Sequence, residues 1–250
     1  MNRYLRNLYR IEFAVTMACT GKCRHCQNGD TVYSTEHIDA DAAEELIRKV
    51  CENYEIRSIM TFGGEPLLYP DVVCKIHRTA VNMGIEKRQV ITNGYFSNKR
   101  ECIEEVACSL AGSGVNDLLL SVDAFHQETI PLEPVIQFAE CAVKSGISIC
   151  LSPAWLVSQE DQNPYNIRTR EIIRKFEPLQ IPLGSGNVVF PSGNALKYLR
   201  EYFDESAVES SPYDEDPRDI RTISIGANGN VLDGNMYKTD ILTILNSYTP

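Results

Sequence analysis

The stretch Cys19-Thr20-Gly21-Lys22-Cys23-Arg24-His25-Cys26 places three thiols at C-x3-C-x2-C spacing. It follows an apolar run and precedes the turn-like Gln27-Asn28-Gly29-Asp30. Three thiolates on one short loop can converge on a single centre without the backbone crossing a regular element. A structural zinc or cluster site normally takes four protein ligands, and no fourth cysteine occurs in the next twenty residues. The economical reading is a [4Fe–4S] cluster held by Cys19, Cys23 and Cys26, with one iron open to another ligand. An open coordination position separates a working metal site from a structural one. A zinc loop completed by His25, Cys51 or a distant residue is the alternative that the triplet alone leaves standing.

The elements that must position this loop alternate regularly. Ile11 to Val15 reads as a strand feeding straight into the cysteines, and Asp41-Ala42-Ala43-Glu44 resembles a helix capping box. Strands are predicted over Ser58–Phe62, Gln89–Asn93, Asp117–Val122, Ser148–Leu151 and Val188–Phe190. Helical spacing falls between them, around Val73–Met83, Cys102–Leu110, Val135–Val143 and Tyr165–Phe176. Gly84-Ile85, Gly114-Val115 and Gly146-Ile147 each close a helix and open a strand, at steps of thirty and thirty-two residues, the length of a βα unit. Repeated βα units demand a parallel sheet with right-handed crossovers. No glycine-rich dinucleotide fingerprint follows the first strand, so a full or partial barrel is preferred to a doubly wound open sheet. In such barrels the chemistry sits at the carboxyl ends of the strands. The cysteine loop, Gly63-Gly64-Glu65, Asn93-Gly94 and Asp123 all fall there, on one rim.

After residue 200 the character changes. Glu201 to Asp219 holds eight acidic residues and one arginine, and reads as a solvated loop or lid. Thr222–Leu232 is predicted as a hairpin around Asn228-Gly229, and Asp240–Leu245 as a short closing helix. The expected organisation is therefore a barrel core over residues 1–200 and an acidic loop, hairpin and helix over 201–250.

Composition excludes several classes. The hydrophobic fraction of 43% and charged fraction of 23% are those of an ordinary globular chain of 250 residues. No apolar run approaches a membrane span, and Arg3, Arg6 and Arg10 have no apolar signal core behind them. A cytoplasmic protein without a membrane partner is expected. Nine cysteines, three of them in a tight triplet, point to metal ligation in a reducing compartment rather than to disulfides. A formal net charge of −10 argues against a nucleic-acid partner.

Cys19-x3-Cys23-x-His25-Cys26, followed at the end of the second strand by Gly63-Gly64-Glu65-Pro66, resembles the two signature motifs of the radical S-adenosylmethionine (radical SAM) enzymes. The resemblance spans roughly residues 9 to 190 and implies an α/β fold, a partial (β/α)6 TIM-like barrel. It also implies a [4Fe–4S] cluster and SAM as cofactors, and an electron donor such as flavodoxin or ferredoxin. The implied chemistry is reductive cleavage of SAM to a 5′-deoxyadenosyl radical that abstracts hydrogen from a substrate in the barrel.

By the same resemblance, Gly63, Gly64, Glu65 and Pro66 would hold the amino end of SAM, His25 would lie against the adenine, and Asn93 would stand near the ribose. Glu65 and Gly64 are not iron ligands, so changes there are expected to weaken SAM binding and spare the cluster. Ser121 and Asp123 alternate with Leu118, Leu120 and Val122 and should face the lumen, as should Ser148, Cys150 and Ser152 on the next strand. Family members use polar groups here for SAM or substrate. Cys150 is a candidate catalytic thiol that donates a hydrogen atom to a substrate radical, with a small buried cysteine as the plainer alternative. His126 is a rim residue. Cys51 and Cys102 read as core, and Cys74, Cys108 and Cys141 as helix residues without partners.

Ser224 to Val231 also resembles the entry to the SPASM-type extension of peptide-modifying members, yet no cysteine follows Cys150 to build a second cluster. Ser121-Val122-Asp123-Ala124-Phe125-His126 is similar to that branch, so a peptide or protein substrate is expected. A glycyl-radical enzyme activase is the rival enzyme reading. A non-catalytic Fe–S or zinc module is the rival of another class.

Overall fold

The structure is a computed structural model and describes residues 2–29 and 34–250. In chain order, β1 (Arg10–Thr16), α1 (Ala40–Asn53), β2 (Ser58–Gly63), α2 (Pro70–Asn82), β3 (Lys87–Thr92), α3 (Arg100–Gly112), β4 (Asp117–Leu120), α4 (Leu132–Lys144) and β5 (Ile149–Leu151) form the regular half. There follow β6 (Ala154–Trp155), α5 (Pro164–Ile173), β7 (Asn187–Val188), α6 (Gly193–Tyr198), β8 (Thr222–Ile225), β9 (Asn230–Val231), β10 (Gly234–Asn235) and α7 (Ile241–Ser247). The main sheet runs β5-β4-β3-β2-β1-β8, and every pairing in it is parallel. This is the expected α/β partial barrel, with the sheet left open.

Local sequence explains the regular half. In α1 the residues Ala43, Leu46, Ile47 and Val50 recur at helical spacing and bury together against the sheet. Its N-cap is Asp39, whose side chain accepts from the Ala42 amide, so the expected capping box at Asp41 lies two residues too late. Three helices end alike. At the end of α2, Ile85 N donates to Ala80 O and Gly84 N to Val81 O; Val115 and Ile147 repeat the pattern after α3 and α4. These paired bonds require the left-handed φ of Gly84, Gly114 and Gly146, between +75° and +83°. Each following residue is a buried aliphatic two positions ahead of the next strand.

The strands have two unlike faces. Phe13, Ile59, Val90, Leu118, Leu120, Ile149 and Leu151 are at most 5% exposed and pack beneath the helices. Fully burying each contributes about 1.5–3 kcal/mol. The alternate residues Glu12, Met60, Gln89, Leu119, Ser121, Cys150 and Ser152 line the lumen.

Beyond β5 the chain departs from simple repeats. Pro153 breaks the strand, and β5–β6 together pair with residues 182–189 through scattered bonds: Leu151 N to Pro182 O, Gly184 N to Leu151 O, and Val189 N to Trp155 O. The sixth barrel strand is thus reduced to β7 and an isolated bridge at Leu183, because Gly184 and Gly186 (φ +66°) interrupt it. The expected hairpin over Thr222–Leu232 is corrected. Residues 222–225 instead extend the sheet edge beside β1, which buries Ile223 and Ile225 completely. The Asn228-Gly229 turn is retained, and the hairpin proper is β9–β10. Within the acidic stretch, Ser210 N donates to Pro191 O and Tyr213 packs on Phe190, so it crosses the open seam between β7 and β8. Helix α7 docks on α1 through the Lys49–Asp240 pair at 2.6 Å. Among the described residues, no helix is long and apolar enough to cross a membrane.

Candidate active site

The cysteine loop leaves the end of β1 and is gripped at once by the exit of β2. Gly64 N donates to Thr16 O at 2.7 Å and Glu65 N to Ala18 O at 2.8 Å. A Cβ on Gly63 would overlap the Thr16 carbonyl, and one on Gly64 would overlap the backbone of Met17 and Ala18. These glycines therefore make room first for the cysteine loop's own backbone. The expectation that changes at Gly64 spare the cluster is corrected by this contact, since a side chain there would displace the loop itself. Both glycines still line the cavity.

Glu65 is placed otherwise than expected. It is fully buried; Oε1 accepts from Leu67 N (2.9 Å) and Thr92 Oγ1 (2.6 Å), and Oε2 accepts from Asn93 N (2.8 Å). Burial pushes its carboxyl up to about 7 against these hydrogen bonds. The carboxylate straps the exit of β2 to that of β3, and neither it nor Pro66 is among the residues lining the cavity.

The three thiols lie under the loop. Cys23 is 7% exposed, and Cys19 and Cys26 are half-buried. Burial, with a smaller contribution from Cys26 among its neighbours, pushes Cys19 up to about 11; the thiols of Cys23 and Cys26 are raised by burial too. Three buried thiols cannot ionise together without a cation. Amide hydrogens already point at the sulfurs, from Gly21 to Cys19 (3.4 Å) and from Asn28 and Gly29 to Cys26. Asn93 Nδ2 stands 3.6 Å from Cys19 Sγ and 3.2 Å from Thr20 Oγ1. Asn93 thus supports the loop, besides lining the cavity. Soft thiolates, N–H···S contacts and a site that needs positive charge fit an iron–sulfur cluster.

Asn194 is a loop support that sequence reasoning missed. At the start of α6, its backbone N donates to Cys26 O at 2.9 Å and its Nδ2 to Cys23 O at 3.1 Å. Gly193 beside it sits so close to Gln27 that a Cβ would collide. Nothing in Ser192-Gly193-Asn194 beyond turn character signals that role.

His25 and Asp123 are packed into the rim. The His25 ring lies 4.9 Å from both Phe125 and His126; among the described residues its Nδ1 is buried without a partner, and burial lowers its pKa to about 4. Asp123 is fully buried. Its Oδ2 accepts from His126 Nδ1 (2.8 Å) and Ala154 N (2.9 Å), and its Oδ1 from His126 N (3.0 Å). Burial alone would raise this carboxyl, but the adjacent His126 holds it below the usual range, and Asp123 in turn raises His126. Ser121 and Ser152 face the lumen near the rim, and the β4–β5 register sets Cys150 beside Leu119 one layer below. Cys150 Sγ donates to Leu151 O at 3.6 Å, and burial raises its thiol.

Rim, lumen and floor bound one cavity of about 1220 Å³. At its floor Arg10 is paired with Glu12 (2.5 Å) and donates to Ser58 Oγ (3.0 Å) and Gln89 Oε1 (2.9 Å).

Residues 13–150 match the profile of the radical SAM superfamily. A probable GTP 3′,8-cyclase of Saccharolobus islandicus is 26% identical over 234 residues, which covers 84% of this chain and 69% of the relative. A GTP 3′,8-cyclase of Desulforamulus reducens is 28% identical over 131 residues, 52% of this chain and 38% of that one. Among solved structures, Streptococcus suis SuiB bound to S-adenosylmethionine aligns with a TM-score of 0.58 at 15% identity, covering 96% of this chain and 66% of SuiB. The anSMEcpe structure with bound AdoMet aligns at 0.59 and 14% identity, covering 93% and 76%. Those two likenesses carry the fold.

Proposed function

Because the chain belongs to the radical SAM superfamily, we propose that it cleaves SAM at a [4Fe–4S] cluster on Cys19, Cys23 and Cys26 and abstracts hydrogen from a peptide or protein segment in the lumen. The superfamily's cluster and SAM together supply reductive C–S cleavage and a 5′-deoxyadenosyl radical. The observation that carries the proposal is that the cysteine loop, the Gly63-Gly64 edge and the polar lumen face border one cavity. The chain's own residues then have distinct tasks. Gly63 and Gly64 make room for the loop and present a backbone edge to the amino end of SAM, while Glu65, ahead of Pro66, holds the loop through its amide and ties the exits of β2 and β3 together from behind. Amides of Gly21, Asn28 and Gly29, with Asn93, stabilise thiolate charge. His25 and the loop tied down by Asp123 wall the adenine side, Ser121 offers a hydroxyl to the lumen, and the helices exclude water from behind. An external reductant such as flavodoxin or ferredoxin supplies the electron. Cys150 gives its S–H hydrogen to the substrate radical and is left as a thiyl, which an electron and a proton from the donor system restore.

The 26%-identical cyclases offer a second substrate reading, GTP. The charges lining this cavity disfavour it. Glu12, Asp123, Asp214 and Glu215 stand against Arg10 and Lys22, and Arg10 is committed to Glu12. A triphosphate needs unpaired cations, whereas a neutral or cationic peptide segment does not. The test is anaerobic reconstitution with iron and sulfide, followed by SAM and a strong reductant. About four irons and 5′-deoxyadenosine are expected, and neither GTP turnover nor stimulation of cleavage by GTP. Zinc binding without SAM cleavage would overturn the activity, and turnover of GTP would replace the peptide reading.

A further inference from the structure

We infer that Cys23, His25 and His126 form a second metal site, for a zinc-class divalent cation, in the chain before its cluster is built. The Cys23 thiol and one ring nitrogen from each histidine lie within 4.8 Å of one another. Around a tetrahedral zinc such atoms stand roughly 3.5 Å apart, so small side-chain rotations close the site. Cysteine and histidine together are the donor set that zinc prefers.

Two further observations point to a cation here. Among the described residues His25 Nδ1 is buried without a hydrogen-bond partner, which is costly for a polar atom and leaves that nitrogen free to act as a ligand. Asp123 binds His126 Nδ1 at 2.8 Å and is itself fixed by Ala154 N. That is the carboxylate–histidine arrangement that orients metal-ligating imidazoles, and it leaves Nε2 as the ligating atom. A water completes the fourth position. The His25 and His126 rings already stand 4.9 Å apart and near perpendicular, an arrangement that lets two imidazoles converge on one ion.

The site shares Cys23 with the proposed cluster, so the two occupants exclude each other; only this exclusion rests on the cluster reading. Cation binding releases the Cys23 proton, and iron and sulfide must displace the cation before the loop can take its cluster.

The test uses cluster-free full-length protein, prepared with chelator and titrated anaerobically with Co²⁺ as a spectroscopic stand-in for zinc. The expected result is one equivalent of tetrahedral Co²⁺ with a thiolate-to-cobalt charge-transfer band. The band should be lost in Cys23→Ser, His25→Phe and His126→Gln, and kept in Cys19→Ser and Cys26→Ser. Asp123→Asn should weaken affinity about 10–100-fold. Iron assembly should show the converse pattern, lost in Cys19→Ser and Cys26→Ser and kept at about four irons in His25→Phe and His126→Gln, which also shows that these variants fold. Absence of Co²⁺ binding by the wild type overturns the inference. So does loss of the band in Cys19→Ser and Cys26→Ser alongside Cys23→Ser, which would place the cation in the cysteine triplet. Failure of iron assembly in every variant would instead overturn the cluster reading and leave the cobalt pattern to stand or fall by itself.

Discussion

The two faces of the same strands are built for opposite ends. The outer face is dry and aliphatic, with Leu118, Leu120 and Val122 fully buried beneath the helices. The lumen face, one residue out of phase, presents Glu12, Gln89, Ser121, Cys150 and Ser152 to a cavity. A packed barrel centre would be filled with branched aliphatics. Here stability is concentrated outside and chemistry inside, so substitutions on the two faces should have separable effects. Gly63 and Gly64 are where the two demands meet, because they join strand packing to the cysteine loop.

The largest effect is therefore expected at that junction. Gly64→Val should abolish cluster assembly, since its side chain would occupy the place of the Ala18 and Met17 backbone. Gly84→Ala, at a helix end with open space around it but φ +75°, should cost about 1 kcal/mol and leave iron content unchanged. Iron analysis with thermal melting checks both, and equal iron loss in the two would break the distinction.

Leu118→Ala should cost about 2–5 kcal/mol by leaving a cavity under the helices. The protein that remains folded should assemble its cluster normally. Reduced iron per folded chain would show that the outer face is coupled to the rim.

His77, on the outer side, gives a pH test. It is fully buried, meets Thr61 Oγ1 at 3.0 Å through Nε2, and burial lowers its pKa to about 3. Its folded pKa lies below the unfolded value of about 6.5. Its contribution is thus fully present above pH 6.5 and lost as pH falls toward 3. His77→Gln should remove about 3 kcal/mol of the stability change between pH 7 and pH 4, read from denaturant midpoints. An unchanged acid limb would contradict the assignment.

On the lumen face, Cys150→Ala should shift stability by less than about 1 kcal/mol. SAM cleavage should persist while the normal product is lost or diverted. Unchanged product would make Cys150 a packing residue only.

The regular half of the fold was legible because local rules and global packing agree there. Leu46, Ile47 and Val50 mark a helix face, and Gly84, Gly114 and Gly146 mark its repeated end. The cysteine loop and the polar lumen face of β4 and β5 were legible for the same reason, by spacing and by alternation. What was not legible depends on long-range contacts. Residues 222–225 carry a strand pattern that fits a hairpin as well as a sheet edge; only the exposed edge of β1 decides between them. Asn194 reaches the cysteine loop across more than 160 residues of chain, and no local pattern records that contact. Glu65 shows the subtler limit. Its place in Gly63-Gly64-Glu65-Pro66 was visible, but its engagement by Leu67, Thr92 and Asn93 was not.

The most direct test of the account is iron content and SAM cleavage measured together on reconstituted wild type and on the three single alanine variants of Cys19, Cys23 and Cys26. The wild type should hold about four irons and give reductant-dependent 5′-deoxyadenosine, and each variant should lose both. A variant that kept the cluster and cleavage, or a wild type holding zinc and leaving SAM intact, would contradict it.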